Sequence, residues 1–275
     1  MVVQGRPRQI VRRTAIAGAL VVFGLLIYLV AFRGVRLFAP LYDAADLRKQ
    51  LICAVHEGDL NYVQALVRQG ANVNGRDFGN LTALHHAAAR GRLRIGEFLM
   101  DAGADPGARD KDGCSTLHHA ASFGHEEMVL LLIEHGVNVN AKDGQGRTPL
   151  HNAAGENVKV VAALVDARAN VTARDAEGRT PLHLAASLGH ADVVELLITL
   201  GARPNAKDTE GNTLLHLAAL HNHKETVALL ISRGADVNAR NMEGKTPLDF
   251  AEWNESEEAA SFLREQGAKR GKELK

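Results

Sequence analysis

The chain has 275 residues, of which 46% are apolar and only 4% aromatic, and its 32 basic and 32 acidic residues give a formal net charge of zero. This composition disfavours one large aromatic core and favours stacked layers of Leu, Val and Ala. The charge is unevenly distributed, because residues 1–42 contain six arginines and no acid, which leaves 26 basic and 32 acidic residues in the remainder. A remainder with a net charge of −6 argues against a nucleic-acid partner.

The N-terminal segment predicts a membrane anchor. Residues 14–32 contain no charged side chain, and as a helix they would span about 28 Å, which matches the hydrocarbon core of a bilayer. A cleavable signal peptide would have a shorter apolar region and a small-x-small cleavage site, which residues 30–33 lack. We therefore interpret 14–32 as an uncleaved transmembrane signal-anchor helix; a cleaved signal peptide and an arginine-rich mitochondrial targeting segment are the alternatives.

The arginines on either side of this span predict its orientation. Four precede it and two follow it, namely Arg6, Arg8, Arg12 and Arg13, then Arg33 and Arg36. The larger basic cluster stays in the cytoplasm, so residues 1–13 are expected to form a basic cytoplasmic N-terminus. Residues 33–46 then form a short stalk, and the rest of the chain lies across the membrane, in the periplasm if the protein is bacterial. A cytosol-facing membrane protein and a mitochondrial protein are the alternatives.

A repeated phrase dominates the rest of the chain, at intervals of 32 or 33 residues. Its copies begin at Asp77, Asp110, Asp143, Asp175, Asp208 and Asn241. A fixed period of this length predicts a solenoid of stacked units. In the copy at 175–207, Thr180 and Pro181 are typical of a helix start, Gly189 ends that helix, and Gly201 ends a second one.

The phrase resembles the ankyrin repeat, whose signature is G-x-T-P-L-H-x-A-A followed by G-H and a G-A-x-x-N-A ending. The resemblance implies an all-α solenoid of stacked helix-turn-helix repeats with β-turn fingers, over residues 47–264. The expected repeats are 47–76, which is degenerate, then 77–109, 110–142, 143–174, 175–207, 208–240 and 241–264. Asp249 and Glu252 replace residues of the phrase in the last copy, as suits a terminal cap. Residues 265–275 are expected to form a charged, frayed tail.

One copy is irregular. The 143–174 repeat has lost one residue in its inter-helix loop, and Arg168 replaces the glycine found at Gly103, Gly136 and Gly201 in other copies. An arginine in a left-handed helix cap would cost about 1–2 kcal/mol. Sequence drift and selection for a flexible midpoint both account for this irregularity.

The histidines do not predict a metal site. Five of them share one slot of the phrase, for which the resemblance implies a structural role: His85, His118, His151, His183 and His216. His86 and His119 could approach a single ion, but no regularly spaced third ligand accompanies them. No nucleophile elbow, phosphate loop or zinc-protease motif is present, so we predict a non-enzyme without a cofactor. Cys53 and Cys114 are expected to be unpaired.

The resemblance implies protein binding through the concave face and the finger tips. The inner-face positions are expected to hold Arg90, Phe123, Leu188, His221 and Trp253, and the finger tips Phe78, Lys111, Gln145, Glu177, Glu210 and Met242. We predict a membrane-tethered adaptor for one protein partner, with no small-molecule substrate. The alternatives are an envelope inhibitor or immunity factor for a toxin or enzyme, a metal-dependent enzyme, and a self-associating structural scaffold.

Overall fold

The structure is a computed structural model that describes residues 47–155 and 157–274. The predicted cytoplasmic N-terminus, transmembrane helix and stalk, residues 1–46, lie outside the described residues. Among the helices of the described part, none is long and apolar enough to cross a membrane.

The described residues form seven helix pairs, which confirms the predicted all-α repeat solenoid. The helices are α1 (Leu47–Glu57), α2 (Leu60–Arg68), α3 (Ala83–Ala89), α4 (Leu93–Asp101), α5 (Thr116–Ser122), α6 (Glu126–Glu134), α7 (Pro149–Ala153), α8 (Val158–Asp166), α9 (Pro181–Leu188), α10 (Ala191–Thr199), α11 (Leu214–Leu220), α12 (Lys224–Ser232), α13 (Pro247–Trp253) and α14 (Glu257–Glu265). A 3₁₀ helix follows at Gly271–Glu273.

The pairs stack in chain order. The first helices of the pairs, which we call inner helices, pack against one another, and the second, outer helices form a parallel row behind them. Leu84, Leu117 and Leu182 are completely buried on the inner helices, and the alanine pair at Ala185 and Ala186 is equally buried. Alanine at these positions lets neighbouring backbones approach closely, so a continuous core forms without large aromatic residues.

β-turn fingers connect each outer helix to the next inner helix, as the resemblance implied. The aspartate that opens a repeat organises its turn: Asp175 Oδ1 accepts hydrogen bonds from the backbone N–H groups of Glu177 and Arg179, at 3.0 and 2.8 Å. Neighbouring tips are also joined, since the Thr209 N–H donates to the Glu177 carbonyl at 3.0 Å. The fingers therefore form one line of hydrogen-bonded tips along the stack.

The tail corrects the expectation that residues 265–275 are frayed. The Gly271 N–H donates to Asp249 Oδ2 at 2.7 Å, and the Thr246 hydroxyl donates to the Lys269 carbonyl at 2.8 Å. Arg270 forms an ion pair with Glu252 at 2.6 Å. After α14 the chain repeats the Gly-Ala step that starts most of the fingers, so the tail begins a further finger and covers the end of the stack.

The irregular repeat has the shortest inner helix among the described residues. The inner helix α7 has five residues, whereas α5 has seven and α9 has eight. Arg168 has a φ of +66°, as expected from its alignment with cap glycines. A Cβ atom added at Gly136 or at Gly201 would meet no other described atom within 4 Å. The cost of arginine at this site is therefore backbone strain and not a side-chain clash.

We expect Arg168→Gly to stabilise the solenoid by about 1 kcal/mol, because relief of the left-handed strain exceeds the added entropy of the unfolded chain. Denaturant unfolding of the full chain in neutral detergent measures this change, with Gly136→Arg as the matched control that should destabilise by a similar amount. Hydrogen exchange should show α7 and α8 opening more readily than α9 and α10. Equal protection of the two repeats, or a destabilised Arg168→Gly, would contradict the assignment of strain.

Candidate functional site

Five of the inner helices, α3, α5, α7, α9 and α11, begin with a cap made by the recurring histidine. In the 175–207 repeat, Nδ1 of His183 lies 3.1 Å from the backbone nitrogen of Thr180 and 2.8 Å from its hydroxyl. In other repeats the second ring nitrogen extends to the next finger, as His118 Nε2 donates to the Arg147 carbonyl at 3.1 Å. Since a carbonyl can only accept, Nε2 carries the proton and Nδ1 accepts from the cap residue. The structural role implied for this slot is confirmed.

Burial keeps these capping rings neutral. Desolvation lowers the pKa of His85 and of His183 to about 4, and it also lowers the pKa of His118, His151 and His216. In a neutral ring Nδ1 has a lone pair for the cap N–H, whereas a protonated ring would lose this acceptor. The caps are therefore sensitive to acid.

We expect the free energy of unfolding to fall as the pH drops from about 6.5 towards 4. The pKa of His183 is about 4 in the folded chain, against an ordinary value of 6.5, so the unfolded chain binds the proton first and acid favours unfolding. The slope should approach about 1.4 kcal/mol per pH unit for each such histidine. Denaturant unfolding between pH 7 and 5 measures it, and His183→Gln should reduce the slope. A His183 ring that titrates near 6.5 by NMR would contradict this account.

The two histidines considered for a metal do not converge on one site. His86 Nε2 donates to Asp77 Oδ2 at 2.9 Å, and His119 Nε2 donates to Asp110 Oδ2 at 2.9 Å, so each ring pairs with the aspartate of its own repeat. His56 Nε2 donates to the remaining nitrogen of His86, also at 2.9 Å. Within residues 47–155 and 157–274, no group of three His, Cys, Asp or Glu side chains is placed to hold a metal ion.

Neither cysteine forms a disulfide. Cys53 and Cys114 are both free and half-buried. Burial raises the pKa of the Cys114 thiol to about 12, and the neighbouring carboxylates of Asp110 and Asp143 act in the same direction. The thiolate form that reacts or binds metal is therefore suppressed at neutral pH.

The predicted inner-face residues lie on one exposed surface of the inner helices, which we call the concave surface because the resemblance implies that this face is concave. Counting from the Ser or Thr that caps each inner helix, Arg90, Phe123, Leu188 and His221 are all the eighth residue, and all are exposed. The exposed fractions are 60% for Phe123 and 54% for Leu188. Side chains of this size, left in solvent, do not contribute to the core of the stack.

Trp253 differs from the expected alignment. It is the seventh residue after its cap, Thr246, and Asn254 takes the eighth position. Because the fourth, seventh and eighth residues share one side of a helix, Trp253 still belongs to the concave surface. Its side chain is 79% exposed, so it does not bury itself against the end of the stack.

Alignment of the repeated phrase alone missed four further residues of this surface. Leu184, Leu217 and Phe250 are fourth residues of their helices, Leu220 is a seventh residue, and all four are half-buried. Together with Leu188 and Trp253 they form what we call the apolar concave patch, confined to residues 175–264. The helical spacing of the fourth and eighth positions is the signal that could have identified them.

The preceding repeats present polar side chains at the same positions. The fourth residues there are His86, His119 and Asn152. Phe123 is the exception, and its ring stacks on His125 with 6.5 Å between centroids. The fourth residues of the concave surface therefore change from polar in the first half to apolar in the second half, where the eighth position still includes the polar His221.

The finger tips are exposed as expected. The described tips include Phe78, Lys111, Gln145, Glu177, Glu210 and Met242. Phe78 is fully exposed and Met242 is 79% exposed, and they occupy the first and the last of these tips. Glu177 forms an ion pair with Arg179 at 2.6 Å, and the next tip, Glu210, accepts a hydrogen bond from the Asn212 side chain at 3.1 Å.

Comparison with protein-family models matches most of the chain. A model described as ankyrin repeats in three copies matches residues 98–175, 117–208, 172–241 and 200–272. A model of many ankyrin copies matches residues 66–120, and a model of a single ankyrin repeat matches residues 51–78, which includes the degenerate first copy. A comparison with curated proteins finds no match.

Proposed function

We infer the function from the fact that this chain belongs to the ankyrin repeat family, whose members are typically non-enzymatic modules for protein–protein interaction. We propose that it is a membrane-tethered adaptor that binds one protein partner through its concave surface and finger tips. Ankyrin stacks bind through side chains that their own packing does not use, so the exposed positions carry the specificity.

The observation that carries this proposal is the exposure of large apolar side chains on one face. Phe123, Leu188 and Trp253 are all more than half exposed, although the core beneath them is complete. Exposed apolar groups of this size, surrounded by polar residues, are typical of the centre of a protein interface. The varied finger tips would then supply the polar rim.

The proposal of a membrane tether is based on the sequence of residues 14–32. Nineteen residues without a charge, preceded by four arginines and followed by two, support a single span with the repeats on the far side of the membrane. In a bacterium the binding surface would then lie in the periplasm. The partner would then be a protein of the envelope.

Binding should depend on the exposed anchors. The partner is first captured by the full chain from solubilised membranes and identified by mass spectrometry. Phe123→Ala and Trp253→Ala should each weaken its binding by about 2 kcal/mol or more, as truncation of a buried interface anchor does, with little change in thermal stability. Lys111→Ala and Glu177→Ala should have smaller effects, because rim charges mainly change association rates.

The same variants also test a purely structural role. If Phe123 and Trp253 stabilise the stack, their alanine variants should lower the free energy of unfolding by about 3–5 kcal/mol, as core truncations do. Large destabilisation accompanied by intact residual binding would refute the interface assignment.

The topology can be measured independently of any partner. With the carboxyl terminus across the membrane from the cytoplasm, an alkaline phosphatase fused to that terminus should be active, and a green fluorescent protein fused there should be dark. The arginine distribution around residues 14–32 is the physical reason for this expectation. An inactive phosphatase with a bright fluorescent fusion would place the repeats in the cytoplasm.

A further inference from the structure

The apolar concave patch coincides with the acidic part of the solenoid. Residues 175–265 contain 15 acidic and 8 basic residues, a net charge of −7, whereas residues 47–174 contain 14 of each. The ten residues after 265 add four basic and one acidic residue, and Arg270 among them is paired with Glu252. The same three repeats therefore combine an apolar floor with excess negative charge.

The acidic side chains flank the patch on two sides. The fourth residues lie beside the fingers, as the His86–Asp77 contact shows for an equivalent position, and the eighth residues lead into the inter-helix loops. On the finger side, which we call the finger rim, the exposed acids are Glu177, Glu210 and Glu243. On the loop side, which we call the loop rim, they are Asp192, Glu225 and Glu255. Glu257 and Glu258 are also exposed, but they line a groove between the outer helices α12 and α14 and are not counted with this rim.

The loop rim is the more negative of the two. It has three exposed acids and one exposed cation, Lys224. On the finger rim Lys245 is exposed, and Arg179 is held by Asp175 at 2.9 Å and by Glu177 at 2.6 Å.

Two further cations of the fingers are directed at the backbone. Lys207 Nζ donates to the Arg240 carbonyl at 2.9 Å, and Arg240 Nε donates to the Gly244 carbonyl at 3.3 Å. These side chains lie along the fingers and join neighbouring turns. The negative charge beside the patch is therefore concentrated at the loop rim.

We propose that the apolar concave patch binds a cationic amphipathic α-helix of the partner. This inference rests on the proposed function, since it names the chemistry of the protein that the concave surface would bind. The apolar face of such a helix would cover Leu184, Leu188 and Trp253, and its lysines and arginines would meet the acids of the loop rim and the glutamates at the finger tips.

The dimensions of the patch set the length of the helix. Three inner helices lie about 8–10 Å apart, so the patch extends about 20 Å along the stack. At 1.5 Å per residue this corresponds to about 14 residues, or four turns. An anionic helix with the same apolar face would bring like charges together at the loop rim, which is unfavourable.

Two synthetic peptides test the charge requirement. Both have about 14 residues and the same leucine-rich face, and their polar faces carry either lysines or glutamates. Fluorescence anisotropy against the full chain in neutral detergent should show at least tenfold tighter binding of the lysine peptide. The difference should shrink as salt is added, because the rim charges are solvent-exposed and therefore screened.

Matched variants locate the binding site of the lysine peptide. Leu188→Ser should weaken its binding at least tenfold, whereas Leu130→Ser, which changes an exposed leucine on the outer helix α6, should leave it unchanged. Glu225→Lys should weaken it several-fold, whereas Glu127→Lys, at the equivalent second residue of α6, should not. Circular dichroism verifies that each variant keeps its helical content.

The following results of these binding experiments would overturn the proposal. Equal binding of the two peptides, or no binding of either, would remove the cationic helix as the occupant. Undiminished binding of the lysine peptide to Leu188→Ser would place it elsewhere. Self-association of the full chain that Leu188→Ser abolishes, without competition from the lysine peptide, would identify a second copy as the occupant. In all these cases, loss of the captured partner by Phe123→Ala would still support the proposed function, so the two failures are distinguishable.

Discussion

The capping histidine connects two levels of this structure. Its Nδ1 accepts from the residue that starts the inner helix, and in His118, His151 and His216 its Nε2 donates to the finger of the following repeat. One neutral ring therefore caps the N-terminus of an inner helix and also holds the finger of the neighbouring repeat. Asp249 takes over this role in the last repeat, where its carboxylate caps the helix at Thr246 and accepts from Gly271 in the tail.

Regular stacking places equivalent residues of successive repeats side by side, so a few substitutions change the surface chemistry along the stack. Because the inner helices from α3 to α13 start at equivalent Ser or Thr caps, their fourth and eighth residues align with those of their neighbours. The row of fourth residues changes from His86 and His119 to Leu184 and Leu217 along the stack. The buried apolar positions of the inner helices from α3 to α13 stay Leu and Ala, so this change leaves the core unaffected. Different positions of the repeat therefore determine the surface chemistry and the stability of the stack.

The irregular repeat lies where the fourth residues of the concave surface change from polar to apolar. Its shortened helix α7 contributes Asn152 to the concave surface, and Arg168 adopts the left-handed conformation that glycine takes in neighbouring repeats. The strain is tolerated because the arginine side chain extends into solvent and its carbonyl still accepts a hydrogen bond from Asn140, at 3.1 Å. A repeat that keeps its contacts to both neighbours can lose a residue without breaking the stack.

The sequence by itself determined the period, the caps, the buried Leu and Ala positions, the strained Arg168 and the exposure of Phe123 and Leu188. These features depend on local patterns within one repeat, which recur often enough to be recognised. Only the tertiary structure decided the pairing of His86 with Asp77, the packing of the tail on Asp249, the position of Trp253 and the extent of the apolar concave patch. Those features depend on which side chains lie next to each other in space, within one repeat or between neighbouring repeats, and the order of residues along the chain does not give these distances.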